Sequence, residues 1–307
     1  MSVWAATGVH AAKQDAATWL LEPVGARAIA LQAYTAVADD ASTVALNPAG
    51  LAKLSKVEAL FYTRENSYDM SESYLAAVWP QVGPGTLGVA WRNAGVGDSE
   101  DAPFIYTDGT GKDFGRGSYS ANALTVAYGV KLMPELKLGA GIEYALDNFG
   151  GLDGTAFEGD KGADASGFGG LVVGVSGKVP DLLQYGLSVR NVGGKLGDDS
   201  EIPVTLSAGV STTFPGKRAV LLSVELQKQF VDIAERTVEV KGGVEYRLAP
   251  ISLRLGTSLS GDRSRWFAGF GVNVASVRAD YAFQFINRTA YSLGDVPRHF
   301  VSLSYVY

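Results

Sequence analysis

The chain has 307 residues, and its 26 basic and 32 acidic side chains give a formal charge of −6, which argues against a general nucleic-acid surface. Cysteine is absent and histidine occurs twice, excluding disulfides, thiol chemistry, Cys-ligated metals and a His-built metal cage within one chain. Charged residues make up 19%, apolar residues 47%, and 38 glycines show no collagen period; no apolar run is long enough for a transmembrane helix.

The chain opens MSVWAATGVHAA, and Val9-His10-Ala11-Ala12 is similar to the small-residue cleavage region of an export signal, without the basic region that precedes one. Residues 1–23 are therefore expected to be an exported N-terminal extension, either a signal remnant or disordered. Residues 24–56 show no period-two pattern. Ala, Leu and Gln across Ala26–Ala38 favour helix. Asn47-Pro48 reads as an N-cap followed by proline at the first helical position, opening a short helix to about Leu54. A helical segment ahead of a sheet of this kind is expected to plug a lumen; a helix on the periplasmic surface is the alternative.

From residue 57 the chain alternates with period two, the pattern of strands with one apolar and one polar face. Val204, Leu206, Ala208 and Val210 oppose Thr205, Ser207, Gly209 and Ser211; Val240, Val244 and Tyr246 oppose Lys241, Glu245 and Arg247. Fourteen such segments occur. The first seven lie near 57–64, 73–80, 85–95, 117–132, 135–148, 165–179 and 182–192. The rest lie near 202–214, 218–230, 237–248, 250–260, 265–275, 276–286 and 298–307. Tight Pro/Gly turns alternate with long polar loops, as short periplasmic and long extracellular connections do in an outer-membrane barrel. The predicted fold is all-β: a 14-stranded antiparallel transmembrane β-barrel over 57–307 with a helical plug at 24–56.

Little in the sequence supports catalysis. His299 and Ser302 are three apart on a strand, hence on opposite faces, and cannot pair as base and nucleophile. Asp108–Asp113 resembles the start of a calcium loop, but Tyr119 stands where the bidentate Glu is required. Glycines within the strands are read as easing curvature and crowding. Arg92, Glu143, Arg190, Glu245, Arg254, Arg278 and Asp280 fall on the polar faces, where mixed signs favour a salt-bridged, closed interior over a polar conduit. Neither a cofactor nor a metal is expected. Val301, Leu303, Tyr305 and Tyr307 share one face of the last strand and end the chain on an aromatic, a pattern expected to serve as the C-terminal assembly signal.

Gly25-Ala26-Arg27-Ala28, Ala33-Tyr34-Thr35-Ala36-Val37-Ala38-Asp39-Asp40-Ala41-Ser42 and Asn47-Pro48-Ala49-Gly50-Leu51 resemble the N-terminal signature of FadL-like outer-membrane proteins. Within that group the chain most resembles the PorV/PorQ family. Gly186–Gly193 and the ending Asp280-Tyr281-Ala282-Phe283, Leu293-Gly294 and Arg298–Leu303 are similar to segments of that family, and Gln32 departs from its usual glycine. The resemblance implies a plug signature at Arg27, Tyr34, Asp39, Asp40, Asn47, Pro48 and Gly50. It also implies a non-enzymatic protein-binding component of a type IX secretion system in the bacterial outer membrane. The alternative is a FadL-like transporter of hydrophobic small molecules such as fatty acids. The expected partners are outer-membrane lipid, a secretion-machine protein or secreted cargo, and a hydrophobic ligand or detergent in the lumen, with no nucleic acid. Phe104, Ile105 and Tyr106, in a long loop, are the candidate contacts for partner or ligand.

Overall fold

Strands dominate the computed structural model, which describes residues 17–65, 70–96, 104–107, 113–150, 165–197, 200–214, 219–230, 238–261, 263–285 and 298–307. The first strands are β1 (Glu58–Glu65), β2 (Met70–Val82), β3 (Gly85–Val96), the short β4 (Phe104–Thr107) and β5 (Asp113–Met133). They are followed by β6 (Leu136–Gly150), β7 (Ala165–Val179), β8 (Leu183–Val192) and the short β9 (Lys195–Leu196) and β10 (Ser200–Glu201). The chain closes with β11 (Val204–Phe214), β12 (Ala219–Phe230), β13 (Glu239–Leu248), β14 (Ile251–Ser260), β15 (Arg263–Val274), β16 (Val277–Phe285) and β17 (Arg298–Val306).

Setting aside β4, β9 and β10, the other fourteen strands pair antiparallel, each with its chain neighbour, and the first meets the last. Glu58↔Val306 through Glu65↔His299 form that closing seam, so the barrel has no free edge. The closed 14-strand antiparallel barrel is the one the period-two segments predict. Its tight connections near 83–84, 134–135, 180–182, 249–250 and 275–276 all lie at one end, while most of the long loops fall outside the described residues. At the other end β4 pairs with the outer part of β5, and β9 pairs with β10.

Alternation decides which face meets which solvent. Along β12, Leu222, Val224 and Leu226 are 40%, 52% and 53% exposed, whereas Ser223, Glu225 and Gln227 between them are buried. A soluble sheet buries its apolar face; this one turns that face outward all round, which suits a hydrocarbon surround. Trp79, Trp91, Leu124, Ile142, Leu255 and Phe270 continue the apolar girdle. An Arg or Lys on that surface would cost about 2–4 kcal/mol at mid-depth. Arg92, Glu143, Arg190, Glu245, Arg254 and Asp280 instead point inward and are buried. This is the architecture of a bacterial outer-membrane protein.

The lumen holds the N-terminal segment, from Ala17 until it leaves at the tight-turn end near Val57. Its helices are α1 (Ala26–Leu31) and α2 (Thr43–Leu46), with 3₁₀ turns at Thr18–Leu21 and Pro48–Lys53. The Ala26–Ala38 stretch predicted as helix stops at Leu31. Gln32 adopts φ 60°, a conformation that ends the helix and that glycine enters more easily, which gives the departure at this position a structural meaning. Downstream, the Tyr34 and Thr35 amides are drawn to the wall by the Glu225 carboxylate, at 2.9 and 2.8 Å, instead of continuing the helix. The Asn47-Pro48 signature does open a short helix, as a 3₁₀ turn, with Asn47 Oδ1 accepting from Ala49 N at 3.2 Å.

Candidate functional site

Two groups of contacts fix the plug to the wall. One is close packing on strand glycines. Inward glycines on many of the strands stand where the plug presses closest: a Cβ at Gly88 would lie 2.6 Å from Val44 Cγ2, one at Gly129 2.7 Å from Pro48 O, and one at Gly269 2.6 Å from Ala30 Cβ. At Gly139 it would fall on the Pro48–Ala49 peptide, and at Gly174 on the Asn47 carboxamide. The strand glycines read from sequence as relief of curvature therefore have a more specific cause. They form the seat of the plug, since only a residue without a side chain leaves room for plug atoms so close to the strand.

The other group is ionic. Arg27, from α1, donates to Glu245 of β13 at 3.0 and 3.2 Å, pairs with Asp39, and lies 3.6 Å from Asp40. Glu245 also takes Arg254 and Arg247, each at 2.7 Å, and Arg254 reaches on to Asp280 at 2.7 Å. Arg278 joins Glu58 at 2.7 Å, Asp280 at 3.2 Å and Asp40 at 3.6 Å. Burial works against the charge on Arg27, but Asp39 and Glu245 outweigh it and hold the guanidinium well above its ordinary pKa. The Arg27 guanidinium also lies 5.8 Å from the Tyr34 ring centroid. Lys53 donates to Ala36 O and Val37 O at 2.8 and 2.7 Å, and burial lowers its pKa to about 8.

The sequence-predicted signature residues thus come together inside the barrel. Arg27, Tyr34, Asp39 and Asp40 belong to the charged cluster; Asn47 and Pro48 start the 3₁₀ turn and sit against β6 and β7. Gly50 packs on Ala38 and Thr43, where a Cβ would collide with both. Wall anchors the sequence did not single out include Glu225, Ser302, whose Oγ accepts from Ala26 N at 2.7 Å, and Ser188, which donates to Leu46 O at 2.7 Å. Glu72 also went unread; it binds Arg64 at 2.8 Å and Arg92 at 2.6 Å. An inward carboxylate facing two inward arginines across neighbouring strands was the available signal.

Nearer the long-loop end the plug is held differently. Leu20 and Ala17 pack with Ala123, Ala145, Leu196 and Ile202 in a small apolar cluster. Polar support there is mainly to carbonyls, Arg92 to Leu20 O at 3.3 Å and Arg190 to Leu21 O at 3.4 Å. Beside this cluster the register of the wall shifts. Between β6 and β7 the register skips Gly169; between β7 and β8, Val172 alone faces Arg190 and Asn191. Gly170 holds φ 117° and Asn191 φ 62°, and a Cβ at Gly170 would lie 2.5 Å from Asn191 Cα, so this double bulge depends on glycine.

The backbone of Phe104, Ile105 and Tyr106 forms β4 beyond the barrel rim; their side chains lie outside the described residues. Val301, Leu303 and Tyr305 face outward at 48%, 52% and 52% exposure, and Tyr307 N donates to Val57 O at 2.9 Å across the seam. His299 faces outward, with Nδ1 2.7 Å from Tyr281 Oη, whereas Ser302 faces the plug.

No family model matches the sequence, and no curated protein matches it. Solved structures do match in fold. The toluene transporter TodX of Pseudomonas putida aligns with a TM-score of 0.60 at 11% identity, over 86% of this chain and 93% of that one. A Pseudomonas aeruginosa FadL homologue aligns with a TM-score of 0.59 at 14% identity, over 93% of this chain and 98% of that one. The fold is thus that of FadL-like barrels.

Proposed function

We propose that this barrel carries hydrophobic small molecules across the outer membrane by a sideways route through the wall, not along the barrel axis. The double bulge at Gly169–Gly170 and Arg190–Asn191, lying beside the apolar cluster of Leu20, Leu196 and Ile202, carries this reading. The axial path is occupied by the plug and its buried ion pairs, whereas at the long-loop end a buried apolar cluster lies next to the double bulge in the wall. Similarity in fold to a toluene transporter supports this choice over the secretion reading. A secretion-machine component of PorV/PorQ type is the second reading, favoured by the same tightly held plug, which suits a static scaffold whose outer loops bind protein.

Because the chain lacks cysteine, the bulge can be stapled cleanly. Leu171 and Val192 are paired across β7 and β8 and both face outward, so Leu171→Cys with Val192→Cys places two thiols side by side. Oxidation should cut uptake of labelled toluene or oleate several-fold in cells, and a reductant should restore it. Uptake equal in the oxidised and reduced states would rule out this exit. If cells with the barrel also take up neither solute faster than cells without it, and Phe104→Ser, Ile105→Ser, Tyr106→Ser together abolish capture of a secretion partner, the second reading stands.

A further inference from the structure

At the tight-turn end, two adjoining cavities of about 250 and 360 Å³ share Asp39, Asn273 and Arg278 and form one recess between the plug exit and β13–β16. Its charge balance runs against that of the chain. Six cationic side chains line it, Arg27, Arg247, Arg254, Arg278, Lys53 and Lys56, against four carboxylates, Asp39, Glu58, Glu245 and Asp280. Adding Asp40, buried behind Arg27 and Arg278, still leaves one more cation than anion, in a protein of net charge −6.

Hydrogen-bonding capacity points the same way. Every one of the four carboxylates already carries at least one guanidinium. Donors are left over. Arg247 binds only Glu245, through Nε and Nη2, leaving Nη1 without an acceptor among the described residues, and its side chain is 37% exposed. Arg278 hydrogen-bonds through Nη2 alone, to Glu58 and Ser304, its Nε lying 3.2 Å from Asp280 without a hydrogen bond, and likewise leaves Nη1. The Lys56 ammonium and the Asn273 amide have no side-chain partner there either. A recess with satisfied acceptors, surplus donors and excess positive charge is complementary to an anion with several oxygens. A cation would find no carboxylate free of a guanidinium.

We propose that this recess binds a small oxyanion, a carboxylate or a phosphate, between Arg247, Arg278, Asn273 and Lys56 at the tight-turn mouth. The site is independent of the sideways route and stands or falls separately from it. Calorimetric titration of the detergent-folded barrel with succinate, inorganic phosphate and neutral succinamide tests it. Saturable binding of one oxyanion is expected, with no binding of succinamide; the stronger of the two identifies carboxylate or phosphate as the chemistry. Arg247→Gln leaves Glu245 its bonds to Arg27 and Arg254, and Lys56→Gln alters an exposed side chain, so both variants should keep the heat-modifiable barrel. Each should weaken binding at least fivefold, and the pair should abolish it. Oxyanion heats no different from those of succinamide would overturn the proposal. So would binding that neither variant weakens.

Discussion

Replacing Gly139 by leucine is expected to cut the yield of heat-modifiable, plugged barrel at least tenfold, while Ala140→Leu one residue away leaves it within about twofold. The two positions share β6 but face opposite solvents: Gly139 is buried under the Pro48–Ala49 peptide, and Ala140 points outward to lipid. Overpacking a core side chain typically costs about 1–3 kcal/mol because neighbouring side chains can shift. At Gly139 the obstruction is main chain, and Gly129, its cross-strand partner on β5, already lies against the same Pro48 carbonyl. Relief therefore requires the 47–51 turn to leave its seat. Band shifts on unheated gels, with conductance of any folded fraction in planar bilayers, read the outcome. A leucine variant that folds at wild-type yield and remains non-conducting would show that the plug does not depend on these glycines.

Glu245→Ala should be the most damaging single loss of charge. The Glu245 side chain is 1% exposed and serves Arg27, Arg247 and Arg254 together, so its removal leaves the buried Arg27 and Arg254 guanidinium groups short of counter-charge away from bulk water, while the more exposed Arg247 can turn to solvent. Breaking one member of a buried ion pair costs about 3–5 kcal/mol. Asp39→Asn provides the contrast. Asp39 also pairs with Arg27, but its side chain is 37% exposed and water can replace it, so about 1 kcal/mol or less is expected. Urea unfolding of both variants in detergent, compared at their midpoints, measures the difference. Equal midpoints would mean the network centres elsewhere than on Glu245.

The barrel was legible because lipid and lumen impose opposite chemistry on alternate residues. Leu222, Val224 and Leu226 against Ser223, Glu225 and Gln227 announce a strand and its orientation without any partner. The Asn47-Pro48 cap was legible for an equally local reason. What escaped the sequence depends on the opposite wall. No local signal marks Gly139 or Gly174 as plug seats, because the atoms they make room for belong to residues 47–49, about ninety or more positions earlier in the chain. Arg27 could be picked out by family resemblance, but its pairing with Glu245 follows from how α1 sits against β13. Helix propensity over Ala26–Ala38 was overridden at Gln32 and by Glu225, a wall residue whose importance only the closed barrel reveals. The double bulge was likewise hidden, since Gly169 and Asn191 fit a period-two reading until both neighbouring registers are counted.

A plug that stays seated while solute passes sideways can be tested by locking it. A Cβ at Gly88 would lie 2.6 Å from Val44 Cγ2, close to the spacing between one Cβ and the far sulfur of a disulfide, so Val44→Cys with Gly88→Cys should tether α2 to β3. Toluene uptake by cells carrying this variant is then compared before and after oxidation, with the extent of cross-linking read from mass spectra of the purified barrel. Uptake unchanged by complete cross-linking is expected of a fixed plug and a route through the wall. Uptake that stops on oxidation and returns with reductant would contradict it, because the plug would then have to move for anything to cross.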